Sequence, residues 1–133
     1  MKRERYRWTV ADVPSQEGRI AVVTGANSGL GFHIAHTLSG RGARVIMACR
    51  NLEKGDVARR RIEESGPPVF PEVRKLDLGD LSSVKAFAEG IAGSFPAVDL
   101  LINNAGLMAI PYHRTVDGFE MQFGVNHLGH FTL

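Results

Sequence analysis

The chain has 133 residues, of which 44% are hydrophobic, and its 16 basic and 14 acidic side chains leave a formal net charge of +2. This length is sufficient for one packed domain, and the small charge excess gives no reason to expect nucleic acid or an anionic membrane as a partner. Cys49 is the only cysteine, which excludes an internal disulfide. No apolar run approaches the roughly 20 residues that span a bilayer. We therefore expect a cytoplasmic protein without a membrane span.

Residues 1–17 are predicted to form an N-terminal arm ahead of a single domain over residues 18–133. The arm is basic, and aromatic side chains alternate with its charges: Lys2, Arg3, Arg5, Tyr6, Arg7 and Trp8. We interpret it as a surface extension packed by its aromatic residues. Contact with nucleic acid is the alternative, although so short a patch supports it only weakly. No apolar stretch follows the basic residues, so a signal peptide is not predicted.

Apolar runs and helical stretches alternate from Arg19 onwards. The predicted strands are, in chain order, Ile20–Val23, Val45–Met47, Val73–Leu76 and Val98–Ile102. The helices predicted between them carry Leu30, Ile34 and Leu38 on one face, cover Leu52–Glu64, and carry Leu81, Val84, Phe87 and Ile91 on one face. A last helix is predicted from about Val116. This alternation predicts an α/β fold of the Rossmann type, a doubly wound parallel sheet with helices on both faces, incomplete at its C-terminal side.

A glycine-rich turn joins the first predicted strand to the first predicted helix, and it reads Thr24-Gly25-Ala26-Asn27-Ser28-Gly29-Leu30-Gly31. Glycine permits the tight turn, the approach of the backbone to a pyrophosphate, and the close packing of helix on strand. The helix N-terminus then presents free N–H groups to the phosphates. The turn is therefore predicted to bind phosphate, and a purely structural turn is the alternative.

The residue that follows the second strand indicates which dinucleotide is preferred. An acidic residue at this point would hold the ribose 2′-hydroxyl of NAD, but the sequence reads Ala48-Cys49-Arg50-Asn51. The planar guanidinium of Arg50 can pair with a 2′-phosphate. The sequence thus favours NADP(H) over NAD(H), and a solvated arginine at a strand end is the alternative.

Four motifs in this order resemble those of the short-chain dehydrogenase/reductase family. They are the spacing G-x-x-x-G-x-G in the glycine turn, Leu76-Asp77-Leu78, Asn103-Asn104-Ala105-Gly106, and Val125-Asn126-His127-Leu128-Gly129. The stretch Ala-Cys-Arg-Asn is similar to that of retinol-dehydrogenase-like, NADP-preferring members. The resemblance covers residues 19–133. It implies an oxidoreductase that transfers a hydride between a nicotinamide cofactor and an alcohol or carbonyl substrate.

The resemblance also assigns cofactor contacts to individual residues. Those implied for the pyrophosphate, the 2′-phosphate, the adenine and the nicotinamide ribose are Gly25, Asn27, Ser28, Gly29, Leu30, Gly31, Arg50, Asn51, Asp77, Leu78, Asn103, Ala105 and Gly106. Because the loops after parallel strands share one edge of the sheet, we expect most of these residues to meet there.

Asn126 is implied to be catalytic, as the asparagine of the family's tetrad. Helical spacing is expected to place Phe119, Phe123 and His130 on the same face as Asn126. An amide buried on such a face needs partners, or it costs about 1–3 kcal/mol. In the family, its partner is a water leading to the catalytic lysine. A satisfied core amide is the alternative.

The family's Tyr-x-x-x-Lys pair is absent from these 133 residues. The residues four positions after Tyr6 and Tyr112 are Val10 and Val116, and the last lysine is Lys85. A phenol with no lysine beside it is a poor base at neutral pH, so Tyr112 is not a substitute. We expect a piece of a longer enzyme that is inactive alone.

Two other functions compete with this interpretation. A non-catalytic dinucleotide-binding module is the main alternative, and a Rossmann-like methyltransferase is disfavoured because Arg50 replaces the acidic residue that it would need. Histidines three residues apart, His33 with His36 and His127 with His130, lack the cysteine or carboxylate cluster of a metal site, so no metal is expected. Neither the substrate nor the oligomeric state follows from the sequence, although the resemblance is compatible with a homo-oligomeric parent.

Overall fold

The computed structural model describes residues 7–133, so the predictions for Lys2, Arg3, Arg5 and Tyr6 of the arm lie outside the described residues. Four strands form one sheet in the order β3-β2-β1-β4, and every neighbouring pair is parallel. The strands are β1 Ile20–Thr24, β2 Arg44–Cys49, β3 Glu72–Lys75 and β4 Leu100–Ile102. The connecting helices are α1 Gly29–Gly40, α2 Leu52–Glu63 and α3 Leu81–Ser94.

The two central strands, β1 and β2, are covered on both faces of the sheet. Successive residues of a strand point to opposite sides. On β1, Val23 packs with Phe32 and Ile62 against α1 and α2. Its neighbour Val22 packs on the other face, where α3 contributes Val84, Phe87 and Ile91 to the core. The β-branched run of β1 is therefore buried on both sides, as a central parallel strand requires. The predicted Rossmann-type α/β architecture is confirmed.

Helix α1 presents only part of the face that its leucine spacing predicts, because Ile34 and Leu38 are half-buried against the core but Leu30 is exposed. Leu30 is 70% exposed, whereas the buried positions are Gly31, Phe32, Ala35 and Ser39. A Cβ on Gly31 would lie only 2.4 Å from Asn104 Nδ2, so the helix approaches the β4 loop on the glycine side. The hydrophobic spacing does not indicate this contact.

The fourth strand begins at Leu100 rather than at the predicted Val98. Asp99 links the start of this strand to the start of β1, since its carboxylate accepts from the Ile20 N–H at 2.8 Å and its own N–H donates to the Ile20 carbonyl. The ladder therefore begins only after Asp99.

The last helix begins at Met121 instead of Val116. Glu120 is its N-cap, because the carboxylate accepts from the N–H groups of Phe123 and Gln122, and these bonds lower the pKa of Glu120. The C-terminal helix comprises α4 Met121–Phe123, a π-helix over Gly124–Gly129, and α5 His130–Thr132. Val116 lies in a preceding turn, where its N–H donates to the Gly79 carbonyl.

The described part of the arm is held by hydrogen bonds. Gln16 is buried, and its N–H donates to the Arg41 carbonyl at 2.7 Å. The Arg41 guanidinium donates in turn to the carbonyls of Val10 and Ala11. Trp8 is 64% exposed, so the predicted packing by aromatic residues is wrong at this position. Within residues 7–133, no helix combines the length and the apolar character that crossing a bilayer requires.

Candidate functional site

A groove of about 310 Å³ opens at the carboxyl end of the sheet, and we call it the strand-end groove. The loops that follow all four strands form its walls, together with one residue of the π-helix. Its lining consists of Thr24, Gly25, Asn27, Ser28, Ala48, Arg50, Leu76, Asp77, Leu78, Asn104, Ala105, Gly106, Leu107 and Val125. Open α/β sheets place their ligand sites at this edge.

The groove brings together many of the residues that the sequence singled out, namely Gly25, Asn27, Ser28, Arg50, Asp77, Leu78, Ala105 and Gly106. Other residues of that set lie outside its lining: Gly29, Leu30, Gly31, Asn51 and Asn103. Asn51 is the N-cap of α2, and its side-chain oxygen accepts from the Lys54 N–H at 2.9 Å. The N-cap preference of asparagine is a sequence signal for this role.

The glycine turn is closed tightly against the loop after β4. Gly25 has a φ of +65°, and a Cβ there would meet Ala105 Cα at 3.0 Å. A Cβ on Gly31 would lie 2.4 Å from both Asn104 Nδ2 and the Gly25 carbonyl oxygen. Both glycines therefore allow close approach between α1, β1 and the β4 loop, which holds the floor of the groove in one arrangement.

Thr24 connects the ends of β1 and β4, although sequence reasoning gave it no role. Its side chain is fully buried, and its Oγ1 accepts from the N–H groups of Asn104 at 3.0 Å and Ala105 at 2.9 Å. Asn104 reciprocates, because its Nδ2 donates to the Thr24 carbonyl at 2.9 Å. A third partner is His130, whose Nε2 lies 2.8 Å from Thr24 Oγ1. These contacts join residues that are distant in the sequence. Their only signals in the sequence are the Thr-Gly pair at the end of β1 and the Asn-Asn-Ala-Gly motif after β4.

The mouth of the groove beside β2 is cationic. Arg50 lies there with an exposed side chain, and among residues 7–133 no carboxylate pairs with its guanidinium. The ammonium group of Lys75, at the end of β3, donates a hydrogen bond to the Arg50 carbonyl at 2.5 Å. On the wall formed by the β3 loop, Asp77 accepts from the Gly79 N–H at 2.9 Å. An unpaired guanidinium at this position is available for an anionic ligand.

Asn126 is exposed rather than buried, and it lies within the π-helix. Its amide pairs with one backbone unit, since Oδ1 accepts from the Leu107 N–H at 2.8 Å and Nδ2 donates to the Leu107 carbonyl at 2.7 Å. The expected aromatic face is wrong at Phe119, which precedes the helix, whereas Phe123 and His130 lie on it. Asn126 instead fixes the loop after β4, where a Cβ on Gly106 would lie 3.3 Å from its Oδ1. A π-helical segment within an α-helix is often found at a functional site.

Cys49 lies beneath the groove and is 1% exposed. Burial raises the pKa of its thiol from 9.0 to about 11, and the backbone N–H groups of Ala26 and Asn27 offset this only in part. The adjacent Arg50 therefore does not produce a reactive thiolate, and the thiol is inert.

We expect iodoacetamide to modify Cys49 slowly in the native chain at pH 8 and rapidly in denaturant. Because the pKa of the thiol is higher in the fold than in the unfolded chain, the protonated thiol contributes stability that is present below pH 9.0 and lost as the pH rises towards about 11. Urea titrations of the wild type and of Cys49→Ser across this range isolate the contribution. Identical pH slopes for the two proteins would contradict it.

No cluster of three or more histidine, cysteine or acidic side chains suited to a metal ion occurs within residues 7–133. His36 of the first histidine pair contacts Ser65 Oγ at 3.0 Å through its Nε2. In the second pair, His127 stacks between Phe123 and Phe131, with ring centroids 5.3 and 6.2 Å away. The rings of these pairs are thus engaged in other contacts.

Known proteins share these features of sequence and fold. The profile of the family described as short chain dehydrogenase matches residues 19–133. Retinol dehydrogenase 11 of Mus musculus is 52% identical over 118 residues, which are 87% of this chain and 37% of the relative. Retinol dehydrogenase 12 of Homo sapiens is 50% identical over 116 residues, again 87% and 37%. The chain thus spans little more than a third of the length of these curated relatives.

Two solved structures extend the comparison. A Mycobacterium paratuberculosis protein of known crystal structure is 56% identical and superimposes with a TM-score of 0.84 over 95% of this chain and 44% of its own. A metagenomic short-chain oxidoreductase in complex with NADP is 38% identical, with a TM-score of 0.63 over 68% of this chain and 40% of its own. Because the family profile covers residues 19–133, which include the whole sheet and all four strand-end loops, the chain belongs to the short-chain dehydrogenase family.

Proposed function

We propose that the strand-end groove binds NADP(H), and that the chain is the cofactor-binding part of an oxidoreductase acting on an alcohol or carbonyl substrate. The unpaired guanidinium of Arg50 at the mouth of the groove carries this proposal. A 2′-phosphate is the anionic group that distinguishes NADP(H) from NAD(H) at this point of the fold. A planar fork of donors is suited to hold it.

The rest of the groove supports the binding of a dinucleotide. Its glycine turn exposes backbone beside Asn27 and Ser28, and side chains at Gly25 or Gly31 would clash with the loop after β4 or with the turn itself. The N-terminus of α1 lies directly after this turn and favours negative charge. Asp77 and Leu78 line the part of the groove where the adenine would lie, and Ala105 and Gly106 line the part where the nicotinamide would lie. The bound cofactor would supply or accept the hydride, and these residues would hold and orient it.

Relatives support the choice of cofactor and suggest a first substrate. One solved relative is in complex with NADP, and two curated relatives are named retinol dehydrogenases. For the longer protein from which this chain would come, retinol with NADP and its aldehyde with NADPH are therefore the first substrate pair to assay. Asn126 would act in that protein on the nicotinamide side, because its amide holds Leu107 of the groove lining.

A second candidate function is a non-catalytic dinucleotide-binding module. The observation that favours it is the lack of any Tyr-x-x-x-Lys pair in these 133 residues. Both candidates require cofactor binding, and they differ in whether the parent sequence supplies a tyrosine and a lysine to the groove.

The first experiment is a titration of the 133-residue chain with NADPH and with NADH, followed by nicotinamide fluorescence. We expect saturable binding with a preference of at least about tenfold for NADPH, since a charge-assisted contact contributes about 1.5–3 kcal/mol. Turnover of retinal is not expected from this chain alone. A chain that is folded by circular dichroism yet binds neither nucleotide would refute the cofactor assignment, and equal affinities would refute the role of Arg50.

A further inference from the structure

We propose that His130 is a positioning residue, fixed as the neutral Nδ1–H tautomer, which ties the Asn126 helix to the floor of the strand-end groove. Its ring is partly buried between two groups on different elements. Nε2 lies 2.8 Å from Thr24 Oγ1 at the end of β1, and Nδ1 lies 3.0 Å from the Asn126 carbonyl oxygen in the π-helix. The consequence for NADPH rests on the proposed function, whereas the hydrogen-bond arrangement does not.

The tautomer follows from the hydrogen-bonding capacity of Thr24. A hydroxyl group has one proton to donate and two lone pairs to accept with. The N–H groups of Asn104 and Ala105 occupy both lone pairs, at 3.0 and 2.9 Å. The hydroxyl proton must therefore be donated, and its two available acceptors are His130 Nε2 at 2.8 Å and the Ile102 carbonyl at 3.5 Å.

The shorter contact takes the proton, because O–H hydrogen bonds in proteins usually span about 2.5–3.0 Å, and the 3.5 Å contact lies outside this range. Nε2 is then an acceptor without a proton. A neutral imidazole carries its single proton on the other nitrogen, so Nδ1–H is the donor to the Asn126 carbonyl. In this series of hydrogen bonds each donor meets an acceptor, so the protons can be placed in only one way.

His130 thereby acts on the groove through Thr24. By taking the hydroxyl proton, it leaves both lone pairs of Oγ1 directed at Asn104 and Ala105, and Ala105 lines the groove. Without a suitable acceptor, the hydroxyl would rotate towards the distant Ile102 carbonyl and weaken one of the two N–H contacts. The same ring holds the carbonyl of Asn126, whose side chain fixes Leu107. One imidazole therefore couples the two sets of contacts that hold the start of the loop after β4, at Asn104 and Ala105 and at Leu107.

The tautomer can be measured without any substitution. The chain labelled with ¹⁵N in its histidine rings is recorded by two-bond ¹⁵N–¹H correlation, in which protonated and unprotonated ring nitrogens separate widely. We expect His130 to show a protonated Nδ1 and an unprotonated Nε2 at pH 8. An Nε2–H tautomer, or the averaged signals of a freely exchanging ring, would overturn the proposal.

Two substitutions separate the two contacts of the ring. His130→Gln can present an amide oxygen where Nε2 lies and so accept from Thr24, but it lacks a donor at the Nδ1 position. His130→Asn can present an amide N–H where Nδ1 lies, but it does not reach Thr24. Both variants are uncharged and polar. His127→Gln is the matched control, since His127 is exposed on the same helix.

We expect the amides of Asn104 and Ala105 to exchange with solvent about tenfold faster in His130→Asn and within about twofold of the wild type in His130→Gln and in the control. The dissociation constant for NADPH should rise about five- to tenfold in His130→Asn and recover in His130→Gln. Equal losses in both variants would show that the ring only fills space, which would overturn the proposal. Loss of folding in a variant would leave the decision to the ring-nitrogen measurement on the wild type.

Failure of this inference is distinguishable from failure of the cofactor assignment. If the wild type shows the Nδ1–H tautomer and slow exchange at Asn104 and Ala105 but does not bind NADPH, the proposed function fails and the positioning role in the loop stands. If NADPH binds and the tautomer is Nε2–H, the proposed function stands and the inference about His130 fails.

Discussion

Alanine at Gly31 is expected to weaken NADPH binding at least about tenfold and to destabilise the chain by about 1–3 kcal/mol, as overpacked sites do. The added Cβ would lie 2.4 Å from the Gly25 carbonyl oxygen and from Asn104 Nδ2. Neither atom can yield easily. The Gly25 oxygen belongs to the backbone of the tight turn, and Asn104 Nδ2 is already bonded to the Thr24 carbonyl.

The matched control is Gly40→Ala in the same helix. Gly40 is the last residue of α1, it is exposed, and a Cβ there would meet nothing within 4 Å. Alanine at such a site gains up to about 1 kcal/mol through helix propensity and a less flexible unfolded chain. Urea unfolding and NADPH titration of both variants provide the comparison. If Gly31→Ala binds NADPH and unfolds as Gly40→Ala does, the close contact of α1 with the β4 loop is not required for the site.

The sheet was predictable from the sequence because each strand is a short apolar run between turn residues. Parallel strands buried on both faces need such runs, and loops that follow parallel strands must meet at one edge. The residues that follow these strands, among them Arg50, Asp77 and Ala105, are thereby predicted to share one groove. The start of the last helix was not predictable, since it depends on capping by Glu120 and on a contact between Val116 and Gly79 from another part of the chain.

The connections inside the site were harder to predict than its location. Asn126 was expected to be buried, yet its partner is the Leu107 backbone 19 residues earlier. Thr24 and His130 are 106 residues apart in sequence and 2.8 Å apart in space. Such polar pairs leave no periodic pattern, because a single hydrogen bond constrains only two positions. Hydrophobic spacing therefore predicts elements well and polar networks poorly.

Removal of the Arg50 side chain is expected to abolish the preference for NADPH while leaving the affinity for NADH nearly unchanged. A charge-assisted pair with a phosphate contributes about 1.5–3 kcal/mol, so Arg50→Ala should raise the dissociation constant for NADPH about 10- to 150-fold. Arg50→Asp should go further and favour NADH, because a carboxylate repels the 2′-phosphate and can accept from the 2′-hydroxyl of NADH. The fold should be unaffected, since the side chain is exposed and has no ion pair among residues 7–133.

Arg60→Ala is the control for this series, because it removes the same charge from an exposed position on α2 that does not line the groove. We expect it to change both affinities by less than about twofold, as long-range charges are screened within about 10 Å at 0.1 M salt. Titrating each variant with both nucleotides at two salt concentrations separates a direct contact from a general field. If Arg50→Ala and Arg60→Ala weaken NADPH binding equally, the preference arises from net charge, and Arg50 does not contact the 2′-phosphate. If Arg50→Ala leaves the affinity for NADPH unchanged, Arg50 does not contact the 2′-phosphate. The ammonium of Lys75, which lies against the Arg50 backbone, is then the cation that remains at this mouth of the groove.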